Sequence, residues 1–231
     1  MKVFWKDVTV VETPGGHGIA LDGREMKTPA RAALLLPTLA LAEAVADEWR
    51  DQTDEVRPAA MPLTRSANSA IDRVVQHREA VIDELAGYGG TDLICYRAPH
   101  PEALAARQAE GWDPLVAWAA EDLGAPLKLT AGVMHLAQPA GSLAALARAV
   151  AAHDAWALTA LHGLVTLSGS LVIGLGVSHG QLTPAEAWAL SRIDEQWNIE
   201  EWGADAEAAR QAAAKEADFH VAARLLALLK T

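Results

Sequence analysis

The period of hydrophobic and polar positions changes near residue 37. Upstream of it, Val8 and Val10 alternate with polar neighbours, Pro14-Gly15-Gly16 supplies a turn, and Asp22-Gly23 stands between two short extended stretches where a tight hairpin needs positive φ. Pro29 ends that hairpin, and Ala32 to Leu36 offers a further apolar strand before Pro37. A small antiparallel sheet is the predicted result.

Downstream, Leu41, Val45 and Trp49 recur every four residues and fall on one side of a helix, with Glu43, Asp47 and Glu48 mostly elsewhere. The segment Arg57 to Pro62 carries two prolines that block helix continuation, so it is the candidate connection between domains. Beyond it nearly every pattern is helical. Ile71, Val74, Val75, Ile82 and Leu85 form one stripe ending before Gly87; Leu115, Trp118 and Ala119 form a second after Pro114; Leu143, Leu146 and Val150 mark a third. The run from Trp156 to Val177 is apolar almost all round, as expected of one central helix surrounded by neighbours. Thr183-Pro184-Ala185-Glu186 reads as a capping box with proline at the first helical position. From about Asp205 an Ala-rich helix carries a last stripe, Val221, Leu225 and Leu228. The expected fold class is α+β: a β-rich N-terminal domain over residues 1–60 with a covering helix, and a larger all-α domain over 61–231.

Composition sets the function classes. Hydrophobic residues make up 51% and charged residues 21%, enough to bury a core. The formal charge of −11, with no Lys/Arg stripe interleaved with aromatics, argues against nucleic acid as a partner. Cys95 is the only cysteine, so neither an intrachain disulfide nor a thiolate cluster can form, which fits a reducing compartment. Residues 157–177 are the strongest candidate for a membrane span, but they contain His162, Thr166, Ser168 and Ser170 and lack a basic flank, so a buried core helix and no membrane insertion are expected.

Most catalytic constellations are absent from the sequence. No phosphate loop is present; the glycines of residues 174–180 have the wrong spacing for a dinucleotide turn and follow a helix. The eight histidines are scattered without metal-ligand spacing. Ser168 and Ser170 lack a nucleophile elbow and read as local hydrogen-bonding residues, and Cys95 as a small buried apolar one. What remains is residues 191–205, acidic and aromatic together. On a helix begun at Thr183, Leu190, Asp194 and Trp197 share one side, so Asp194 borders the apolar face and needs a partner. That partner is either internal, for instance an Arg from another helix, or a second protein, since Trp beside carboxylates suits a docking surface. Asp194, Glu195, Trp197, Glu201, Trp202 and Asp205 are the candidate partner-binding set, with no catalytic, cofactor or metal residue assigned.

Several ordered motifs then carry a resemblance: Asp22-Gly23-Arg24 with Lys27-Thr28-Pro29; Glu48-Trp49 with Gln52; Met61-Pro62-Leu63-Thr64 running to Ala70-Ile71-Asp72; Thr91 to Arg97; Trp112-Asp113-Pro114-Leu115; Leu158 to Leu161; and Glu195-Gln196-Trp197 leading to Trp202-Gly203-Ala204-Asp205. Over nearly its whole length the chain resembles the assembly chaperones of alphaproteobacterial and mitochondrial F-type ATP synthase that bind the unassembled alpha subunit of the catalytic head. The resemblance implies a small β-rich domain with a larger helical one, no cofactor, no ATP hydrolysis and no enzymatic activity. It further implies a client surface on the alpha subunit that is later covered by the beta subunit. The family's functionally important acidic position falls at Asp194, with Glu195 beside it; the family often has the longer Glu at the first of these. The lack of a leader, with the Ala-rich composition, points to a bacterial cytoplasm. Two other classes stay open: a small carboxylate-dependent hydrolase using Asp194 and Glu195, and a permanent structural subunit of a complex.

Overall fold

A computed structural model describes residues 2–230. The chain forms two compact units that do not follow linear order. One comprises the chain up to Arg78, Asp154–Ala160 and the chain from Arg224; the other comprises Glu79–His153 and Leu161–Ala223.

In the first unit, β1 (Val8–Thr13) and β2 (Gly16–Leu21) form the hairpin expected from alternation, in the register Val8 with Leu21 through Thr13 with Gly16. At the next turn Asp22 has φ 49° and Gly23 φ 78°, the left-handed pair that a two-residue connection requires. Asp22 also accepts the backbone N–H groups of Lys6 and Asp7, each at 2.9 Å, and these bonds hold its carboxyl below the ordinary value. Both β3 (Arg24–Glu25) and β4 (Leu35–Leu36) pair antiparallel with β2. The apolar stretch from Ala32 yields only those two strand residues; before them the chain makes one isolated bridge, Lys27 with Ala33. Over the sheet lies α1 (Leu39–Arg50), with Leu41, Val45 and Trp49 buried as their spacing predicts and Thr38 capping its first turn.

The proline segment after α1 is pinned. Glu48 accepts from the N–H groups of Leu63 and Thr64 and from the Thr64 hydroxyl at 2.7–2.8 Å, so a carboxylate closes the N-terminus of α2 (Pro62–Ser69). A single π turn follows over Ala70–Val74, in which the Val75 N–H reaches the Ala70 carbonyl at 3.0 Å. This turn breaks the expected stripe: Val74 stays buried while Val75 faces water. From it Asp72 accepts from the Thr28 hydroxyl at 2.6 Å and the Ala30 N–H at 3.1 Å.

The second unit is helical apart from one short parallel pair. It contains α3 (Arg78–Gly87, from Glu79), a 3-10 turn at Leu93–Cys95, β5 (Tyr96–Arg97) and α4 (Glu102–Glu121). There follow β6 (Thr130–Ala131), paired with β5, and α5 (Ala140–Ala151). Then come α6 (Ala155–Ser168, from Leu161), α7 (Leu171–Ser178), α8 (Pro184–Ser191), α9 (Ile193–Trp202) and α10 (Ala206–Leu228, to Ala223). Its core includes Leu85, Ile94, Trp112, Leu146, Leu164, Ile173 and Phe219.

Three helical expectations need correction. Rather than starting at Pro114, α4 runs through it; Glu110 and Pro114 are both exposed, so water can take the carbonyl that the missing N–H leaves free. The apolar run from Trp156 to Val177 is two helices, not one. Gly169 turns at φ 72°, and Ser170 caps α7 by accepting from the Ile173 N–H at 3.0 Å. The cause is Asp92, fully buried, which accepts from the N–H groups of Ile94 at 3.3 Å and Val172 at 3.0 Å and from the Ser170 hydroxyl. One carboxylate thus starts two helical turns that are remote in sequence, and α7 is buried from Leu171 to Val177. Among the described residues no helix is long and apolar enough to cross a membrane.

Candidate functional site

The helix expected to run on from Thr183 past Trp197 is also two helices, α8 and α9. The helix begun at Thr183 has the expected capping box: the Glu186 N–H reaches the Thr183 hydroxyl oxygen at 3.3 Å, and the Glu186 carboxylate accepts from the Thr183 N–H at 2.9 Å. It ends at Ser191, because Arg192 leaves the helical region at φ −116°, ψ 15°, and α9 starts afresh at Ile193. The freed Leu190 carbonyl is taken by the indole N–H of buried Trp112 at 2.8 Å. Asp194 and Glu195 therefore stand in the first turn of a new helix, where its dipole favours negative charge.

Asp194 is half-buried and accepts from the Gln108 side-chain amide at 2.5 Å, while the Gln108 oxygen accepts from the Ala98 N–H at 2.7 Å. The internal partner is a buried neutral amide on α4, where an arginine from another helix had been one possibility. The guanidinium of Arg107, one position earlier, grips Glu200 instead, through bonds of 2.6 and 3.0 Å that hold the Glu200 carboxyl below its ordinary value; Gln196 adds a bond at 3.0 Å. Glu195 pairs with Arg192 at 2.7 Å, and that guanidinium lies over the Trp188 ring at 5.6 Å. The Gln108 and Arg107 bonds tie α9 to α4.

Asp194, Trp197 and Glu201 fall three and four residues apart on one face of α9; Trp197 is half-buried and Glu201 exposed. Glu195, Ile199 and Trp202 fall together on another, and there Trp202 is 81% and Ile199 39% exposed. Two bulky apolar side chains thus stand in water among carboxylates. Gly203, at φ 87°, ends α9, and Asp205 starts α10 by accepting from the Ala208 N–H at 2.7 Å. Past that cap, residues 206–218 of α10 are exposed apart from half-buried Ala212. Sequence reasoning missed Gln108, Arg107 and Ile199. Ile199 was discoverable from its three-residue spacing to Trp202, whereas Gln108 and Arg107 come from an element 86 and 93 residues away.

Cys95 is buried as expected, and burial with the nearby Asp92 charge pushes its thiol up to about 12, out of reach of ordinary thiolate chemistry. Among the described residues no cluster of three or more His, Cys, Asp or Glu side chains could hold a metal ion.

A two-unit α+β protein with an exposed aromatic and acidic helix pair has the character of a binding protein, and comparison with known proteins specifies the kind. Residues 2–120, just over half of the chain, match the family described as ATP12 chaperone protein. The chain belongs to that family, whose members are ATP synthase assembly chaperones. It is 27% identical over 212 residues to the mitochondrial protein atp12 of Schizosaccharomyces pombe, covering 87% of this chain and 73% of that one. The crystal structure of Atp12 from Paracoccus denitrificans superposes with a TM-score of 0.96 at 49% identity, covering 99% of this chain and 98% of that one. An aspartate-to-lysine mutant of the Paracoccus protein also gives 0.96, at 48% identity, covering 99% and 97%.

Proposed function

We propose that this chain is an ATP-independent holdase that binds the unassembled alpha subunit of the F-type ATP synthase catalytic head and keeps it from aggregating until the beta subunit takes its place. Family membership supports an assembly role. The observation that carries the binding surface is Trp202, exposed beside Ile199 and flanked by Glu195, Glu201 and Asp205. Trp provides much of the binding energy at interfaces, and neighbouring carboxylates orient the partner. Asp194 and Trp197 belong to the same surface from its half-buried side. Within the proposed linear division into a β-rich region, 1–60, and a helical region, 61–231, the client surface lies wholly in the second. The reading needs no cofactor and no catalytic residue, and places the protein in a bacterial cytoplasm.

A hydrolase using Asp194 and Glu195 together is disfavoured, since the two side chains are engaged separately, by Gln108 and Arg192. A permanent structural subunit would co-purify stoichiometrically with the finished ATP synthase. The deciding experiment is co-expression with the alpha subunit. More soluble alpha subunit and a joint gel-filtration peak are expected; unchanged solubility with no complex refutes the reading.

A further inference from the structure

Between buried Ala125 and buried Gln138, the second unit makes an excursion whose composition departs from that of ordinary loops. Connecting segments are usually polar because they face water. Residues 126–137 instead carry Leu127, Leu129, Val133, Met134 and Leu136, with Lys128 the one Lys, Arg, Asp or Glu among them. Val133 is 95%, Met134 78% and Leu129 43% exposed. The base is nonetheless firmly tied. The Gln138 side chain accepts from the Lys128 N–H at 2.8 Å and donates to the Lys128 carbonyl at 2.9 Å, acting as a strand partner for that residue. The Ser142 hydroxyl donates to the Pro126 carbonyl at 2.6 Å, and the Gly132 N–H donates to the Arg97 carbonyl at 2.9 Å, extending the β5–β6 pair. The result is an apolar finger with a fixed root and an uncovered tip.

We propose that this finger docks against an exposed apolar patch of the client subunit, forming a second contact in addition to the α9–α10 surface. The inference rests on the holdase reading above. Charge and area select the occupant. A loop tipped by Val and Met could also enter a bilayer, but docking on anionic lipid needs flanking Lys and Arg, and here Lys128 stands alone in a chain of net charge −11. A second copy is a poor match. Three exposed side chains offer a few hundred Å² at most, against about 800 Å² per partner in a stable interface. An unassembled subunit of an oligomer, by contrast, exposes apolar surface that its neighbour later covers, and the finger needs to contribute only part of the contact. Met134 suits that task because its unbranched thioether adapts to an irregular patch.

The test uses the full chain with Val133→Asp and Met134→Asp together, compared with the parent and with the conservative pair Val133→Ile and Met134→Leu. Alpha-subunit binding is measured by titration, self-association by sedimentation, and flotation with vesicles of phosphatidylglycerol and phosphatidylcholine. Expected is alpha-subunit binding weakened about tenfold or more by the acidic pair and retained by the conservative pair, with the thermal transition in place. Unchanged alpha-subunit affinity overturns the finger, as does a loss confined to vesicle flotation or to self-association. Should the acidic pair fail to fold, Val133→Ser, at a side chain almost wholly in water, carries the same outcomes. If the parent protein itself ignores the alpha subunit, the holdase reading fails first, and that result is visible before any variant is made.

Discussion

Asp92 gives a quantitative test of how the second unit is held together. Its carboxyl is raised from 3.8 to about 6, chiefly because burial strips it of water, with bonds from Ser170, Val172, Ile94 and Leu171 offsetting part of that effect. A carboxyl whose folded pKa exceeds its unfolded value binds protons more tightly when folded. Its contribution is therefore most favourable below pH 3.8, declines as pH rises through the window to about 6, and is flat above. Over the whole window that amounts to about 3 kcal/mol, and from pH 5 to 7.5 to roughly 1 kcal/mol. Asp92→Asn removes the titration. It also removes one acceptor oxygen, at a constant cost of about 1–3 kcal/mol. The informative quantity is then the difference between parent and variant followed across pH, since Glu186 and Glu200, with lowered pKa values and the opposite pH dependence, are common to both. The gap in thermal midpoint should shift by about 3 °C between pH 5 and 7.5, the parent losing ground at the higher pH. Parallel curves would refute the reasoning, as would a carbon-13 titration of the Asp92 carboxyl with its midpoint below 4.

Asp194→Lys removes the acceptor of Gln108 and puts a cation in the first turn of α9; a cost of about 1–2 kcal/mol with the fold retained is expected, alongside weakened alpha-subunit binding. Asp194→Asn keeps an oxygen for Gln108, so a variant that folds and still binds fully would make Asp194 a brace rather than a contact. Gly163→Ala should destabilise by about 1 kcal/mol in urea unfolding despite its better helix propensity, because the added Cβ would stand 2.9 Å from Ala222 Cβ; an increase in stability would sink this. Thr183→Ala should cost about 1 kcal/mol by the same assay, and no loss would mean that the capping box is redundant.

What the sequence disclosed was whatever depends on neighbours a few positions apart. The Asp22-Gly23 turn, the Leu41, Val45 and Trp49 stripe and the Thr183 box are such features, and each is in place. What it concealed depends on partners far along the chain. Nothing between Trp156 and Val177 announces a break at Gly169, because the group that stabilises it, Asp92, lies 80 residues from its partner Val172. The restart at Ile193 was hidden in the same way, since the indole that takes the Leu190 carbonyl is 78 residues distant. At the candidate site, the residue types and the exposed acidic and aromatic positions Glu195, Glu201, Trp202 and Asp205 were legible; the identity of the partner of Asp194 was not. The charge-poor stretch around Val133 drew no reading from the pattern; the Gln138 and Ser142 bonds show its root to be held in place while its tip stays outside the core.

The exposed start of α10 has a consequence in time as well as in space. Helices without tertiary cover are marginal in water, and residues 206–218 hold their form chiefly through alanine, the residue that loses least on becoming helical. Their amide protons should exchange with solvent long before those around Phe219, at the rate of a segment that opens and closes while the body beneath it stays shut. A protein that must grip a client and later let it go has use for such an element. On the holdase reading proposed above, an arm that unravels and re-forms while a client is held would let release proceed without the fold itself yielding.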